Sequence, residues 1–162
     1  MSGNDEYIIR RTESKEDFAV CAKLMAKTDP WITLQMDYNE CLPAFGGLCK
    51  EIFVLEIQSE IAGFVILQVC GTFSGYIQTI CIDEKYRGKG LGTLLLEFCE
   101  KRILEFSPNI FICVSSFNSG AIKLYEKFGF KQVGILENFV KKGFDELLMR
   151  KTFGARAGYK QK

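Results

Sequence analysis

The apolar positions of this chain change period several times, and each change marks the border of an element. Residues 7–12, YIIRRT, have the composition of a short strand. From Ser14 onward Phe18, Cys21, Leu24 and Met25 recur at steps of three and four, which predicts an amphipathic helix. Ser14, with Asp17 three residues on, is its N-cap, and Pro30 ends the segment. A second short helix is expected over 38–48, interrupted by Pro43. The run EIFVLEIQSEIAGFVILQVCG (51–71) reads as two strands around a tight turn at Gln58, Ser59 and Glu60. GYIQTICID (75–83) follows as a strand whose near-continuous apolarity points to burial on both faces.

The second half repeats the alternation of strand and helix. Leu91, Leu95, Cys99, Ile103 and Phe106 form one stripe of a helix over 90–106, which Ser107 and Pro108 stop. NIFICV (109–114) has the character of a buried strand in parallel pairing. Asn118 or Ser119 can cap the next helix, where Ala121, Leu124, Tyr125 and Phe128 share a face and Gly129 fits the stop. GFKQVGILE and FDELLMRKT complete the pattern as a hairpin across NFVKKG (138–143). The expectation is a single mixed α/β domain over 1–152, followed by a flexible basic tail over 153–162.

Composition narrows the classes of function. With 21 Lys+Arg against 20 Asp+Glu the net charge is +1, too balanced for the basic field that nucleic acid requires. The longest apolar runs, such as FVILQVC, fall far short of the roughly 18–20 residues of a membrane span. MSGNDEYIIRR begins acidic and lacks a signal peptide's apolar stretch, so the expected location is cytoplasmic. Seven cysteines, mostly within apolar runs, read as core thiols. Without a CxxC pair or any histidine a metal site is not expected, and the commonest general base is missing.

The candidate chemistry lies in CIDEKYRGKGLGTLLLEF (81–98). Three glycines stand where a strand runs into a helix, at roughly 0.5–1 kcal/mol each relative to alanine in a regular element. Such a turn presents free backbone N–H groups at the positive end of a helix dipole, a site for phosphate. A Walker loop would need glycine at Asp83 and Ser or Thr at Gly90, and the Rossmann spacing would need its third glycine at Thr93 or Leu95. Neither pattern fits.

Arg-x-x-Gly-x-Gly, Arg87 to Gly92, resembles the acyl-CoA-binding signature of the GNAT acetyltransferase superfamily. FNSGAIKLYEKFGF, Phe117 to Phe130, is similar to the family's Asn-x-x-Ala-x-x-Leu-Tyr-x-x-x-Gly-Phe segment. The resemblance spans about residues 7–152. It implies a mostly antiparallel sheet flanked by helices, with a central parallel pair splayed at the acyl-CoA site.

It further implies that acetyl-CoA is the co-substrate, with its pyrophosphate on the turn formed by Arg87, Gly88, Lys89, Gly90, Leu91, Gly92 and Thr93. The pantetheine arm would lie along Ile80, Cys81 and Ile82 and beside Asn118, and Tyr125 would protonate the departing thiolate. Transfer would run by direct attack in a ternary complex. The ribosomal-protein alanine branch carries a catalytic Glu where this chain has Cys113, which leaves the base to a water relay or to Glu40 or Glu137. The acceptor is therefore expected to be a small amine held by Trp31 and Tyr38. A protein N-terminal or lysine acetyltransferase and a non-catalytic acyl-CoA-binding module are the alternatives, and a homodimer is compatible with each.

Overall fold

The structure is a computed structural model that describes residues 6–160. Its elements in chain order are β1 (Tyr7–Arg11), α1 (Lys15–Ala26), α2 (Tyr38–Cys41), a 3-10 turn (Leu42–Phe45), β2 (Lys50–Ile57), β3 (Glu60–Gln68), β4 (Tyr76–Ile82), α3 (Leu91–Ile103), β5 (Asn109–Ser115), α4 (Ser119–Phe128), β6 (Lys131–Leu136) and β7 (Glu146–Thr152). The seven strands form one sheet in the order β1-β2-β3-β4-β5-β7-β6. All neighbours are antiparallel except β4 and β5.

Local chemistry sets most of these borders. Asp17 N donates to Ser14 Oγ at 3.3 Å, so Ser14 caps α1 as expected. Asp37 and Glu40 form a reciprocal capping box around α2, but Pro43 limits that helix to one turn and the chain continues as the 3-10 segment. The β2–β3 turn has Gln58 and Ser59 at φ 51° and 65°, the left-handed pair that suits a two-residue hairpin.

The sheet buries both faces. Leu55, Leu67, Ile77, Ile112 and Met149 pack with Leu95, Cys99 and Ile103 of α3 and Tyr125 of α4. Val54, Phe64, Ile66 and Cys81 pack with Cys21 and Met25 of α1 and with Phe45. Full burial of each large apolar side chain contributes about 1.5–3 kcal/mol.

The central parallel pair is short. Only Tyr76↔Phe111 and Ile77↔Ile112 are in register. On its other edge β4 pairs with β3 through Ile66↔Thr79 and Leu67↔Ile77, which makes Gln78 the extra residue of a bulge. A bulge bends and twists its strand, and this one falls just where β4 leaves β5. Gln78 Nε2 donates to Ala44 O at 3.2 Å. Past this point β4 alternates between buried and half-buried residues, so the expected burial on both faces is replaced by one packed face and one cleft-facing edge.

One further feature departs from the sequence reading. Cys49 and Cys70 are joined in a disulfide with their Cα atoms 5.5 Å apart, so these two are not core thiols. They flank the open end of the β2–β3 hairpin, where the register Lys50↔Gln68 and the bond from Val69 N to Cys49 O bring them within reach of each other. Cys21, Cys41, Cys81 and Cys99 are buried and Cys113 is half-buried. Residues 153–160 form no regular element, yet Tyr159 Oη donates to Leu104 O and Arg156 Nη1 to Thr72 O. Residues 161–162 of the expected tail lie outside the described residues. No helix among the described residues is long and apolar enough to cross a membrane.

Glu51 joins three elements. Its buried carboxylate accepts from Arg102 Nε and Nη2 of α3, both at 2.8 Å, and from Arg11 Nη1 of β1 at 3.3 Å. Glu51→Ala is expected to lower unfolding stability by about 1–3 kcal/mol, the range for charged hydrogen bonds lost at a site where the cations can partly regain water. Urea unfolding with an unchanged slope checks this, and a loss below about 0.5 kcal/mol, the scatter of surface substitutions, would show the network to be dispensable.

Candidate functional site

Where β4 and β5 part, a cavity of about 510 Å³ opens. One end of it is the glycine turn. Gly88 and Gly90 have φ of 73° and 80°, a backbone that L side chains rarely adopt, and a Cβ at either would meet nothing within 4 Å. The fold therefore leaves this cradle open. Gly90 is the N-cap of α3 and supplies no side-chain cap, and the first backbone bond of the helix runs from Leu94 N to Gly90 O at 3.0 Å. The amides of residues 88–93 thus have no backbone acceptor, and the positive end of the helix dipole faces the cavity.

Gly92 serves another purpose. A Cβ there would stand 3.3 Å from Leu124 Cδ2, so this glycine lets α3 and α4 pack closely.

Gly88, Gly90, Leu91, Gly92, Thr93 and Arg87 all line the cavity. Arg87 turns its Nε back to Ile82 O at 3.2 Å. Lys89 is not among the lining residues, and its ammonium lies 5.6 Å from the centre of the Tyr86 ring. Its side chain is drawn over that ring instead of into the cavity.

Along the middle of the cavity run Ile80, Cys81 and Ile82, on the β4 edge that β5 has left. Asn118 combines two roles, since it lines the cavity while its Oδ1 accepts from Ala121 N at 3.2 Å as the cap of α4. Tyr125 is 6% exposed and lines the same space. Burial pushes its phenol well above the ordinary value of 10, so it stays protonated at neutral pH. Burial likewise drives the Cys81 thiol up to about 12 and raises that of Cys113, which makes both poor nucleophiles.

The far end is built by the α1–α2 segment and the β6–β7 loop. Trp31 and Leu34 line one wall and Phe139 and Val140 the other. Lys141 Nζ donates across to Gln35 O at 3.1 Å and to Glu40 Oε1 at 3.3 Å, forming a roof. Tyr38 is not a lining residue; it packs against the core around α1 because α2 turns that side inward. Glu40 is committed to Lys141 and the capping box, and neither it nor the exposed Glu137 reaches the cavity.

A residue that the sequence reading passed over does reach it. Glu146 begins β7, is 5% exposed, and accepts from Ser115 Oγ at 2.6 Å. Burial moves its carboxyl above the ordinary value near 4.5. Ile110, Ile112 and Val114 of β5 and Leu147 and Met149 of β7 face α3 and α4, so Cys113, Ser115, Glu146 and Leu148 face the other side. The two-residue period was legible in FDELLMRKT, but only the register with β5 shows which side holds the cleft.

The comparisons with known proteins agree with this geometry. The family model described as the Acetyltransferase (GNAT) family matches residues 16–130. An N-alpha-acetyltransferase from Sulfurisphaera tokodaii is 33% identical over 60% of this chain and 66% of its own length, so the chain spans just under two thirds of that relative. The N-alpha-acetyltransferase RimI of Mycobacterium tuberculosis is 31% identical over 95% of this chain and 98% of its own. The crystal structure of the ribosomal-protein-S18-alanine N-acetyltransferase from Escherichia coli superposes with a TM-score of 0.74 at 20% identity, covering 96% of this chain and 99% of that one, a likeness of fold. With the uncapped glycine turn, the parted parallel strands and a family match over most of the chain in agreement, this protein belongs to the GNAT acetyltransferase family.

Proposed function

We propose that the protein transfers the acetyl group of acetyl-CoA to a primary amine by direct attack, and that this amine is the α-amino group at the N-terminus of a polypeptide. The observation that carries the first part is the gap between β4 and β5, which joins an anion-binding helix terminus to a buried proton donor. The amides of residues 88–93 would hold the pyrophosphate, and unpaired edge groups of β4 the amides of the pantetheine arm. Tyr125 would give its proton to the departing sulfur. With Cys81 and Cys113 held as thiols, an acetyl-cysteine step has no support.

The preference for a polypeptide over the small amine expected from the sequence has two supports. The two relatives described above are named for N-alpha acetylation. Phe139 and Val140, 59% and 46% exposed, also offer an apolar wall at the mouth that the first side chains of a peptide could cover. The argument against it was Cys113 in place of a carboxylate, and Glu146 in the same cavity weakens that argument.

Acetyl-CoA and CoA are expected to stabilise the fold by about 2.7 kcal/mol at roughly 100 times their dissociation constants, and ATP and NAD by much less. Gly90→Glu should abolish the effect. Thermal shifts that are equal for ATP and CoA would falsify the assignment of the cradle.

Tyr125→Phe should lower kcat by roughly ten- to a thousandfold with little change in CoA affinity. An unchanged kcat would make Tyr125 a packing residue only.

In a panel of peptides and amines assayed by CoA release, peptides with a free N-terminus should react faster than polyamines, amino acids and Nε-amines of lysine. Trp31→Ala should raise KM for the peptide while leaving that for acetyl-CoA nearly constant. A small amine that outpaces every peptide restores the expectation from sequence, and no product from any acceptor points to a binding module.

A further inference from the structure

An acceptor amine enters as an ammonium ion and must lose a proton before it can attack, yet the chain has no histidine and position 113 is a thiol. Two carboxylates line the cavity, Asp29 and Glu146. Asp29 is exposed, and its Oδ1 is engaged by Thr33 N at 3.2 Å and Thr33 Oγ1 at 2.7 Å. Glu146 is buried and lies on the sheet face that Cys113 shares, opposite Ser115 in the β5–β7 register. Tyr125 approaches from the α4 side of the sheet, so donor and carboxylate flank the gap from opposite faces.

We propose that Glu146 is the general base of this cleft, taking the ammonium proton of the acceptor. The inference rests on the reading of the cleft as an N-acetyltransferase site. Ser115 fixes the carboxylate by donating to Oε1, and the remaining groups that face it are Cys113 from β5, Tyr76 from β4 and Tyr125 from α4. None of these is a cation, Glu146 makes no ion pair among the described residues, and burial raises its affinity for a proton. A base whose proton affinity is raised transfers more readily from an ammonium.

The protons balance. Glu146 accepts one from R–NH3+, the freed lone pair forms the N–C bond to the acyl carbon, and the C–S bond breaks. Tyr125 gives its proton to sulfur, the second proton leaving nitrogen restores the phenol through solvent, and Glu146 releases its own to solvent. One ammonium becomes an amide, CoA leaves as the thiol, and one proton is released.

The test is Glu146→Gln in the full chain, where the amide oxygen can still accept from Ser115. It should lower kcat/KM by about a hundredfold or more, the range of general-base catalysis, with CoA affinity by calorimetry within about twofold. Stability gives a second readout. With its pKa raised by folding, Glu146 makes the native state bind more protons than the unfolded chain, so its burial costs stability as pH rises through that window and costs none below the ordinary value near 4.5. The Gln variant should therefore match or exceed the wild-type Tm near pH 7, and the difference should shrink toward acid.

Glu146→Asp, which keeps the charge, should recover at least about tenfold of the activity lost in the Gln variant. The inference is overturned if Glu146→Gln keeps more than about a third of wild-type kcat/KM, if its loss follows a fall in Tm or in CoA affinity, or if Asp restores nothing. A wild type that acetylates neither peptides nor small amines defeats the functional reading together with this inference. An active wild type beside an active Gln variant defeats this inference alone.

Discussion

The separation of β4 from β5 after two paired residues is the constraint on which the site depends. A sheet that loses its pairing in the middle exposes backbone donors and acceptors that would otherwise bond to each other, and each such group left buried without a partner costs about 1–3 kcal/mol. The structure confines this cost to the two edges that face the gap. β4 keeps its pairing with β3 as far as Gly63↔Ile82, and β5 pairs with β7 from Asn109↔Thr152 to Ser115↔Glu146. Each half of the sheet is complete on its outer side, so the halves can part without fraying. The bulge at Gln78 supplies the bend, and the bond from Gln78 to Ala44 O fixes it against the 3-10 segment.

The gap also gives the cleft two chemically distinct sides. Tyr125 comes from the helix layer of α3 and α4, Glu146 from the opposite face, and burial acts on both in the same direction. The phenol, already protonated at neutral pH at its ordinary value near 10, is held more firmly in that form. For the carboxylate the shift increases the tendency to take a proton. One physical effect, desolvation of the charged form, thus acts on both groups of the cavity, favouring the neutral phenol and the neutral carboxyl.

What could be read from the sequence is what depends on near neighbours. Ser14, Asn118 and Gly129 were legible as caps because capping is decided within four residues. Gly88 and Gly90 were legible because a strand-to-helix turn with positive φ favours glycine. Gly92 belongs to the same motif and lines the cavity, but a Cβ there would also meet Leu124, a contact between helices that local reasoning does not reach. Glu146, the Cys49–Cys70 bridge and the inward turn of Tyr38 share this property: each is fixed by strand register or by which side of a short helix faces the core. A one-residue slip of β7 against β5 would send Glu146 to the α3 side, and no local pattern in FDELLMRKT excludes it.

Access to the cleft follows from the weakest of its ties. The roof over the acceptor end is held by Lys141, whose side chain is 36% exposed and pairs with Glu40 at 49%. An ion pair in that setting contributes on the order of 0–1 kcal/mol, and the bond to Gln35 O adds a comparable amount. The tie across the mouth is therefore weak, while the β6–β7 loop itself is held by Asn138, which binds Asp145 and Gly143, and the Ser115–Glu146 pair beneath it is buried and fixed by the strand ladder. On the proposed reading, a weak tie over a rigid floor would admit acceptors of different size to one reacting geometry, and the apolar wall of Phe139 and Val140 would discriminate among them more than the Lys141 tie does.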